Sequence, residues 1–374
     1  MSRHARPVIG IDASRITVGA RTGTETYALQ IIRHLARDLA AACSLRGYLN
    51  ARVADLPADA QDLPLDWREI PFPRLWTHAR LSLEMLTRRP DLLFVPAHVI
   101  PIVHPRSVVT IHDLGYLRYP EAHTTEQVRM LDRTTRWSAR VARRIIVPSE
   151  MTRRDLIDAY DIPAEKIVTI HHGVDTRFGT ASDADVRRLR QTHHLDTPYI
   201  LAVGTVQPRK NLPVLARAVA EIVANGRDVD LVIAGKMGWK SEDVLRDLLA
   251  ANLGDRLRIL RYVDDQELPA LYQGAEAFVL PSHFEGFGMP LVEAMRSRIP
   301  TFAADTSCLP EILADGGEIF PADDPHALAT LLDRALTDTS WSMDLRARAV
   351  ARSRAFSWEI AATQTCRVLT DAIH

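Results

Sequence analysis

Charge of one sign is what this sequence lacks first. Its 46 lysines and arginines meet 47 aspartates and glutamates, so no global field draws it to nucleic acid or an anionic membrane, and any basic surface must be local. Cysteine is scarce. Cys43, Cys308 and Cys366 lie far apart and in no Cys-x-x-Cys pair, which fits a reducing compartment and offers no zinc site. Long apolar runs are missing too: the most apolar stretch, residues 92–103, is interrupted by Pro96, His98 and Pro101, well short of the roughly 20 residues a spanning helix needs. The first residues are basic but lead straight into a short strand-like segment at 8–11, so no secretion signal is visible. A cytoplasmic protein that does not span the membrane is the expectation.

What is present is a chain of 374 residues, 47% hydrophobic and 25% charged, the balance of a folded protein with about two domain cores. Short apolar or β-branched runs alternate with longer amphipathic segments, the pattern of βα units whose parallel strands are buried on both faces. The first half reads as strands at 8–11, 92–95, 108–111, 145–147 and 167–170, with helices near 25–40, 126–143 and 151–159. Residues 175–197 are polar and read as a linker carrying a helix near 185–193. The strand rhythm restarts at 199–203, 231–234, 257–260, 278–280 and 301–303. Right-handed crossovers make each half a doubly wound layer that binds ligands at the carboxyl ends of its strands, and two such edges facing each other would form a cleft. Residues 358–373 keep helical spacing beyond the last strand.

The richest chemistry follows the strand at 278–280, where Pro281-Ser282-His283-Phe284-Glu285-Gly286-Phe287-Gly288-Met289-Pro290 leads into a helix carrying Glu293. Glycines let the main chain approach a ligand, backbone N–H groups ahead of a helix suit hydroxyl or phosphate oxygens, and a carboxylate accepts from sugar hydroxyls. Against this, Glu285 and Glu293 could be ordinary solvated acids. Arg209 and Lys210 stand just after the strand at 199–203, where adjacent cations can neutralise a departing diphosphate; a solvated basic turn is the plainer alternative. His112-Asp113 ends another strand, where the histidine could donate to a sugar and Asp113 orient a neighbour, or the ring could be satisfied within the core. Gly19-x3-Gly23 is neither a P-loop nor a dinucleotide fingerprint and could be a simple turn with Thr24 as cap.

Glu285-x7-Glu293 in this setting closely resembles the signature of retaining glycosyltransferase family 4, a family of GT-B fold. The resemblance extends along nearly the whole chain through Val203-Gly204-Thr205-Val206-Gln207-Pro208-Arg209-Lys210-Asn211, Ala234-Gly235, Leu309-Pro310-Glu311 and Phe356-Ser357-Trp358. It implies an α/β protein of two Rossmann-like doubly wound domains facing across a cleft. An acceptor domain would span residues 1–180 and a nucleotide-sugar domain residues 181–356, with the terminal helix 357–374 packing back on the first. By the same resemblance Glu285 with Gly286, Phe287 and Gly288 holds the donor sugar, Glu293 the ribose, Arg209 and Lys210 the phosphates with Gly204 and Gly19 beside them, and the backbone at Val263 the base. Thr205 departs from the commonest form of the family, which has Arg there, so the phosphate duty falls on Arg209 and Lys210.

The expected function is transfer of a hexose from a nucleotide diphosphate sugar, GDP-mannose before UDP-sugars, to a glycan or lipid-linked acceptor in surface-polysaccharide synthesis. No bound cofactor, metal or nucleic acid is expected. A nucleotide-sugar epimerase of the same fold and a non-catalytic binding subunit are the alternatives, told apart by whether turnover needs an acceptor. Asp183-Ala-Asp185 imitates a metal-binding Asp-x-Asp but reads as a helix start, and the adjacent pairs His171-His172 and His193-His194 lack the three- or four-residue spacing of ligands on one helical face. Finally, Arg129, Arg133, Arg136, Arg140 and Arg143 recur in steps of four and three. They form either a solvated face or a contact with anionic lipid or a polyanionic acceptor.

Overall fold

The computed structural model describes residues 6–17 and 22–374. It divides into two compact units, one running to Gly173 and rejoined by Ser357–His374, the other Val174–Phe356.

In the first unit the strands β1 (Val8–Asp12), β2 (Ser44–Leu49), β3 (Asp66–Glu69), β4 (Leu92–Val95), β5 (Arg106–Thr110), β6 (Arg144–Val147) and β7 (Ile167–Thr169) form one parallel sheet in the order β3-β2-β1-β4-β5-β6-β7. In the second, β8 (Tyr199–Val203), β9 (Asp230–Ala234), β10 (Leu257–Leu260), β11 (Ala277–Leu280), β12 (Thr301–Ala304) and β13 (Glu318–Phe320) are ordered β10-β9-β8-β11-β12-β13, again all parallel. Every residue of β4, β9 and β11 is buried, as strands covered by helices on both faces must be. Chain order reverses between β1 and β4 in the first sheet and between β8 and β11 in the second, and the loops leaving such strand pairs diverge to open a crevice.

Three strands escape the apolar reading. β2 carries Arg46 and Gly47, β3 is the polar edge Asp66–Glu69, and β13 is a three-residue edge strand with Ile319 exposed. Edge positions and mixed composition hide them from a search for apolar runs.

The polar stretch expected as a linker is packed into the second unit, which therefore begins at Val174 and not at residue 181. Arg177 Nη1 donates to the Asp265 carbonyl at 2.7 Å, Gln273 Nε2 donates to the Ala181 carbonyl at 2.7 Å, and the Phe178 ring meets Tyr272 edge-on at 5.5 Å. Helix Asp183–His193 then starts on a capping box, with Asp185 N–H donating to Ser182 Oγ at 3.2 Å and Ser182 N–H donating to Asp185 Oδ2 at 3.0 Å. Asp185 is thus occupied as a helix cap.

Helix Trp358–Ile373 buries Trp358, Ala361, Ala362, Thr365, Val368, Leu369 and Ala372, and packs on helix Gly23–Asp38 of the first unit. Its steps of three and four place that face on one side, while Ile360 stays 47% exposed. Among the described residues no helix is long and apolar enough to cross a membrane.

Candidate active site

The crevice of the second sheet is built from the loops that follow β8 and β11. After Val203 the chain turns through Gly204 and a short 3-10 turn, Pro208–Lys210, into helix Leu212–Ala224. Gly204 N–H donates to the Ala234 carbonyl at 2.9 Å, which draws the loops after β8 and β9 together. They approach so closely that a Cβ on Gly235 would lie 1.9 Å from the Gly204 carbonyl oxygen, so only glycine fits there. After β11, Gly288 adopts φ +84° and caps helix Met289–Arg296, which fixes where the Glu285 loop ends and the helix bearing Glu293 begins.

These turns gather three ionised groups. Lys210 Nζ reaches Glu285 Oε1 at 2.5 Å and Arg209 Nη1 reaches Glu285 Oε2 at 3.2 Å. Ser282 Oγ also donates to Oε1, at 2.7 Å, and Arg209 donates to the Phe284 carbonyl. Both Lys210 and Glu285 are buried. Burial alone would raise the Glu285 pKa, but the Lys210 ammonium and the Arg209 guanidinium outweigh it and hold the carboxyl down at about 2. The carboxylate is therefore ionised throughout the neutral range and cannot deliver a proton, and the trio carries one net positive charge. Gly204, Lys210 and Ser282 line a small cavity beside it.

The Glu285 loop is clamped from β12. Ser307, itself at φ 50°, accepts from Glu285 N–H at 3.0 Å and lies 3.2 Å from the Glu285 carbonyl, to which its hydroxyl donates. Thr306 Oγ1 donates to the Ser282 carbonyl at 2.6 Å. Neither residue stands out in the sequence; a Thr-Ser pair just before Leu309-Pro310-Glu311 is the one trace they leave. Glu293 is half-buried and accepts from Tyr272 Oη at 2.8 Å. Burial raises its pKa to about 7, the Tyr272 hydrogen bond and Arg177 opposing. Phe287 turns its ring into the core against Phe356 at 5.7 Å, which leaves the main chain of 286–288 as the part of that loop able to meet a ligand. Val263, just past β10, is buried beside the exposed Tyr262.

The carboxyl edge of the first sheet is aromatic. His112, two residues past β5, is buried, with its Nε2 donating to the Pro96 carbonyl at 2.9 Å. The Nδ1 atom then accepts from His172 Nε2 at 3.4 Å. Burial, reinforced by His98, lowers the His112 pKa to about 3, so the ring is neutral. Both ring nitrogens are thus engaged inside the first unit, and neither is spare to donate to a sugar in this arrangement. Tyr27 lies 4.4 Å from the His172 ring, and Trp358 stacks on His172 at 6.1 Å. Asp113 orients its own loop, accepting from Gly115 N–H at 2.7 Å. Gly19 lies outside the described residues.

Residues 21–178 match the model described as Glycosyltransferase Family 4, and residues 185–356 match Glycosyl transferases group 1. The chain is 33% identical over 273 residues to O-antigen chain mannosyltransferase B of Escherichia coli, covering 72% of this chain and 71% of that protein. It is 30% identical over 221 residues to the serotype-specific mannosyltransferase WbdA of Escherichia coli, covering 57% of this chain and 27% of that longer protein. The fold is shared with Anabaena HepE, crystallised in complex with UDP-glucose, at a TM-score of 0.76 and 20% identity over 97% of this chain and 99% of that one. This chain belongs to the GT-B glycosyltransferase family, and its activity is glycosyl transfer.

Proposed function

We propose that the protein moves a hexose, mannose from GDP-mannose in the first instance, onto a hydroxyl of a glycan or lipid-linked acceptor, with retained anomeric configuration and without a metal ion. The transfer serves cell-surface polysaccharide synthesis in the cytoplasm. The observation that carries this reading is the buried Glu285, Lys210 and Arg209 trio. Its net positive charge suits a leaving diphosphate, and its carboxylate, ionised and fixed through both oxygens, suits a sugar hydroxyl better than it suits proton donation. The mannosyltransferase relatives favour GDP-mannose, and the HepE complex keeps UDP-sugars second.

In the proposed step the bond from the anomeric carbon to the donor phosphate breaks and the acceptor oxygen bonds that carbon from the same face. The acceptor's proton passes to the departing phosphate. Lys210 and Arg209 stabilise the charge growing on that phosphate, Glu285 and the 286–288 main chain orient the sugar, and Glu293 accepts from the ribose. Purified protein treated with EDTA should release GDP from GDP-mannose when supplied with bacterial lipid-linked acceptors and release none without them. Release of another nucleotide would replace the donor, and release without acceptor would overturn transfer.

The reading extends to a resting place on anionic lipid. On helix Thr125–Val141, Arg129, Arg133 and Arg140 are exposed together with Met130 and Trp137, which are 58% and 40% accessible. Arg136 turns away to pair with Asp132 and lie 4.5 Å over the Tyr160 ring. Exposed Ile102 and Val103 adjoin, tied down by Ile100 N–H donating to Ser138 Oγ and Val103 N–H donating to Ser82 Oγ. Apolar side chains between arginines suit the headgroup boundary. Vesicles containing phosphatidylglycerol should float the wild type but neither the variant with Arg129, Arg133 and Arg140 changed to Gln nor Trp137→Ser; equal flotation of all three would end this reading.

A further inference from the structure

His98 is a strained and incompletely satisfied residue at a strand end of the first crevice. It stands three residues past β4, beside the point where the first sheet reverses its order between β1 and β4, which is where open parallel sheets of this kind take their ligands. Its backbone is held at φ 48°, in the left-handed region, by its own N–H donating to the Thr110 carbonyl at 2.9 Å. A non-glycine residue stays there only where its surroundings impose it, and such positions concentrate at functional sites.

The ring's protonation follows from one hydrogen bond. The backbone N–H of His112 donates to His98 Nε2 at 3.3 Å, so that nitrogen presents a lone pair and the proton of the neutral ring sits on Nδ1. Burial and the charge of Arg15 favour the same neutral form, against the attraction of Asp113. Nδ1 is buried and has no hydrogen-bond partner among the described residues. Native chains rarely keep a buried donor unpaired, so an exception calls for a reason. Asp113, the carboxylate whose charge acts on His98, is turned to its own loop, where it accepts from Gly115 N–H at 2.7 Å.

We infer that the Nδ1–H of His98 donates to a hydroxyl oxygen of the acceptor glycan in the crevice between β1 and β4. This rests on the proposed reading in taking a glycan as the acceptor. A single neutral donor of this kind suits a hydroxyl oxygen. The recognised hydroxyl is not the one that attacks, since a hydrogen bond donated to the attacking oxygen would withdraw the electron pair it needs. His98 is therefore a specificity residue that fixes the acceptor sugar through a neighbouring hydroxyl.

Asparagine and glutamine separate the two ring nitrogens. The amide nitrogen of Asn can occupy the place of Nδ1, and Asn tolerates the left-handed backbone; Gln reaches the place of Nε2 and leaves Nδ1 unreplaced. The test is NMR of full-length protein labelled with 15N-histidine, in the presence of GDP, titrated with a methyl α-mannotrioside. His98 should show a protonated Nδ1 and a bare Nε2, and the trisaccharide should shift the Nδ1 signal saturably. His98→Asn should bind the glycan within about threefold of the wild type and His98→Gln at least about tenfold more weakly, about 1.4 kcal/mol, with GDP affinity unchanged in both. A wild-type spectrum indifferent to the glycan, or equal losses in Asn and Gln, overturns the inference. If the glycan pattern appears but GDP-mannose neither binds nor turns over, the donor assignment falls and His98 stands. If acceptor-dependent GDP release occurs while glycan binding ignores His98→Gln, the transfer reading stands and this inference falls.

Discussion

At the switch point of the second sheet, Arg209, Lys210 and Glu285 meet as three ionised side chains within 3.2 Å of one another's partner atoms. At the carboxyl edge of the first, His98, His112 and His172 lie ring by ring at 5.4–5.5 Å, with Tyr27 against His112 and His172, and burial lowers the pKa of all three histidines. The same topology thus carries opposite electrostatics. On the proposed reading, the charged crevice binds and stabilises a diphosphate, whereas the neutral histidines offer single hydrogen bonds that discriminate among hydroxyls. On that reading the division of labour between donor and acceptor lies in the ionisation of these side chains more than in the shape of the sheets that hold them.

The largest effects should come from the charged side. Glu285→Ala should lower kcat/KM by about 10³-fold or more, and Lys210→Met by about 10²–10³-fold, the range seen when one preorganised charge-stabilising group is removed. Circular dichroism should show both variants folded. Near-normal turnover of either would show that the trio is a structural ion pair. Glu293 gives the next effect. With its pKa raised to about 7, it is mostly protonated at pH 6, and GDP affinity should fall about tenfold between pH 8 and pH 6. Calorimetry across that range should find the dependence in the wild type and not in Glu293→Gln; an unchanged slope in the variant would remove Glu293 from the ribose.

Much of this is legible in the sequence. The strands buried on both faces announce themselves as apolar runs, and the residues from Pro281 to Glu293 are contiguous, so their chemistry survives in the order of the letters. What escaped is information carried by conformation or by distance along the chain. Ser307 and His98 matter because of a positive φ and side-chain hydrogen bonds to a remote backbone, two for Ser307 and one for His98. Tyr272 holds Glu293 from 21 positions away. The engagement of both His112 nitrogens follows from Pro96 and His172, neither of which a local motif can supply. Arg46 and Gly47 concealed β2 because a strand next to the edge needs less apolar surface than a central one.

Acid should pull the two units apart in stability. A histidine whose folded pKa is depressed, as that of His112 is to about 3, contributes stability that is present above its unfolded value near 6.5 and lost as pH falls toward 3. Glu293 has the opposite sign: with its folded pKa raised, its burial costs least below about 4.5 and most above 7, so acidification relieves the second unit. Glu285, held at about 2, loses its contribution only below about 4.5. Between pH 7.5 and 5.5 the first unit should therefore lose about 1.4 kcal/mol through His112 alone, one pH unit below the unfolded value. Hydrogen exchange should then quicken about tenfold in β4 and β5 relative to β11. Equal quickening in both sheets would mean that the histidines are not buried neutral.

The smallest expected change tests how the charged crevice is supported. Ser307 binds both the N–H and the carbonyl of Glu285 through one hydroxyl, at a φ of 50° that an alanine finds strained and a glycine does not. If the hydroxyl matters, Ser307→Ala and Ser307→Gly should both lower kcat about fivefold, the equivalent of one neutral hydrogen bond of about 1 kcal/mol, with Tm falling less in the glycine variant. If the backbone conformation is what matters, glycine should keep full activity and alanine should not. The pair of variants thus separates a clamp on the Glu285 main chain from a bend in the chain, and a loss in neither would mean that Lys210 and Arg209 position Glu285 without help from the loop after β12.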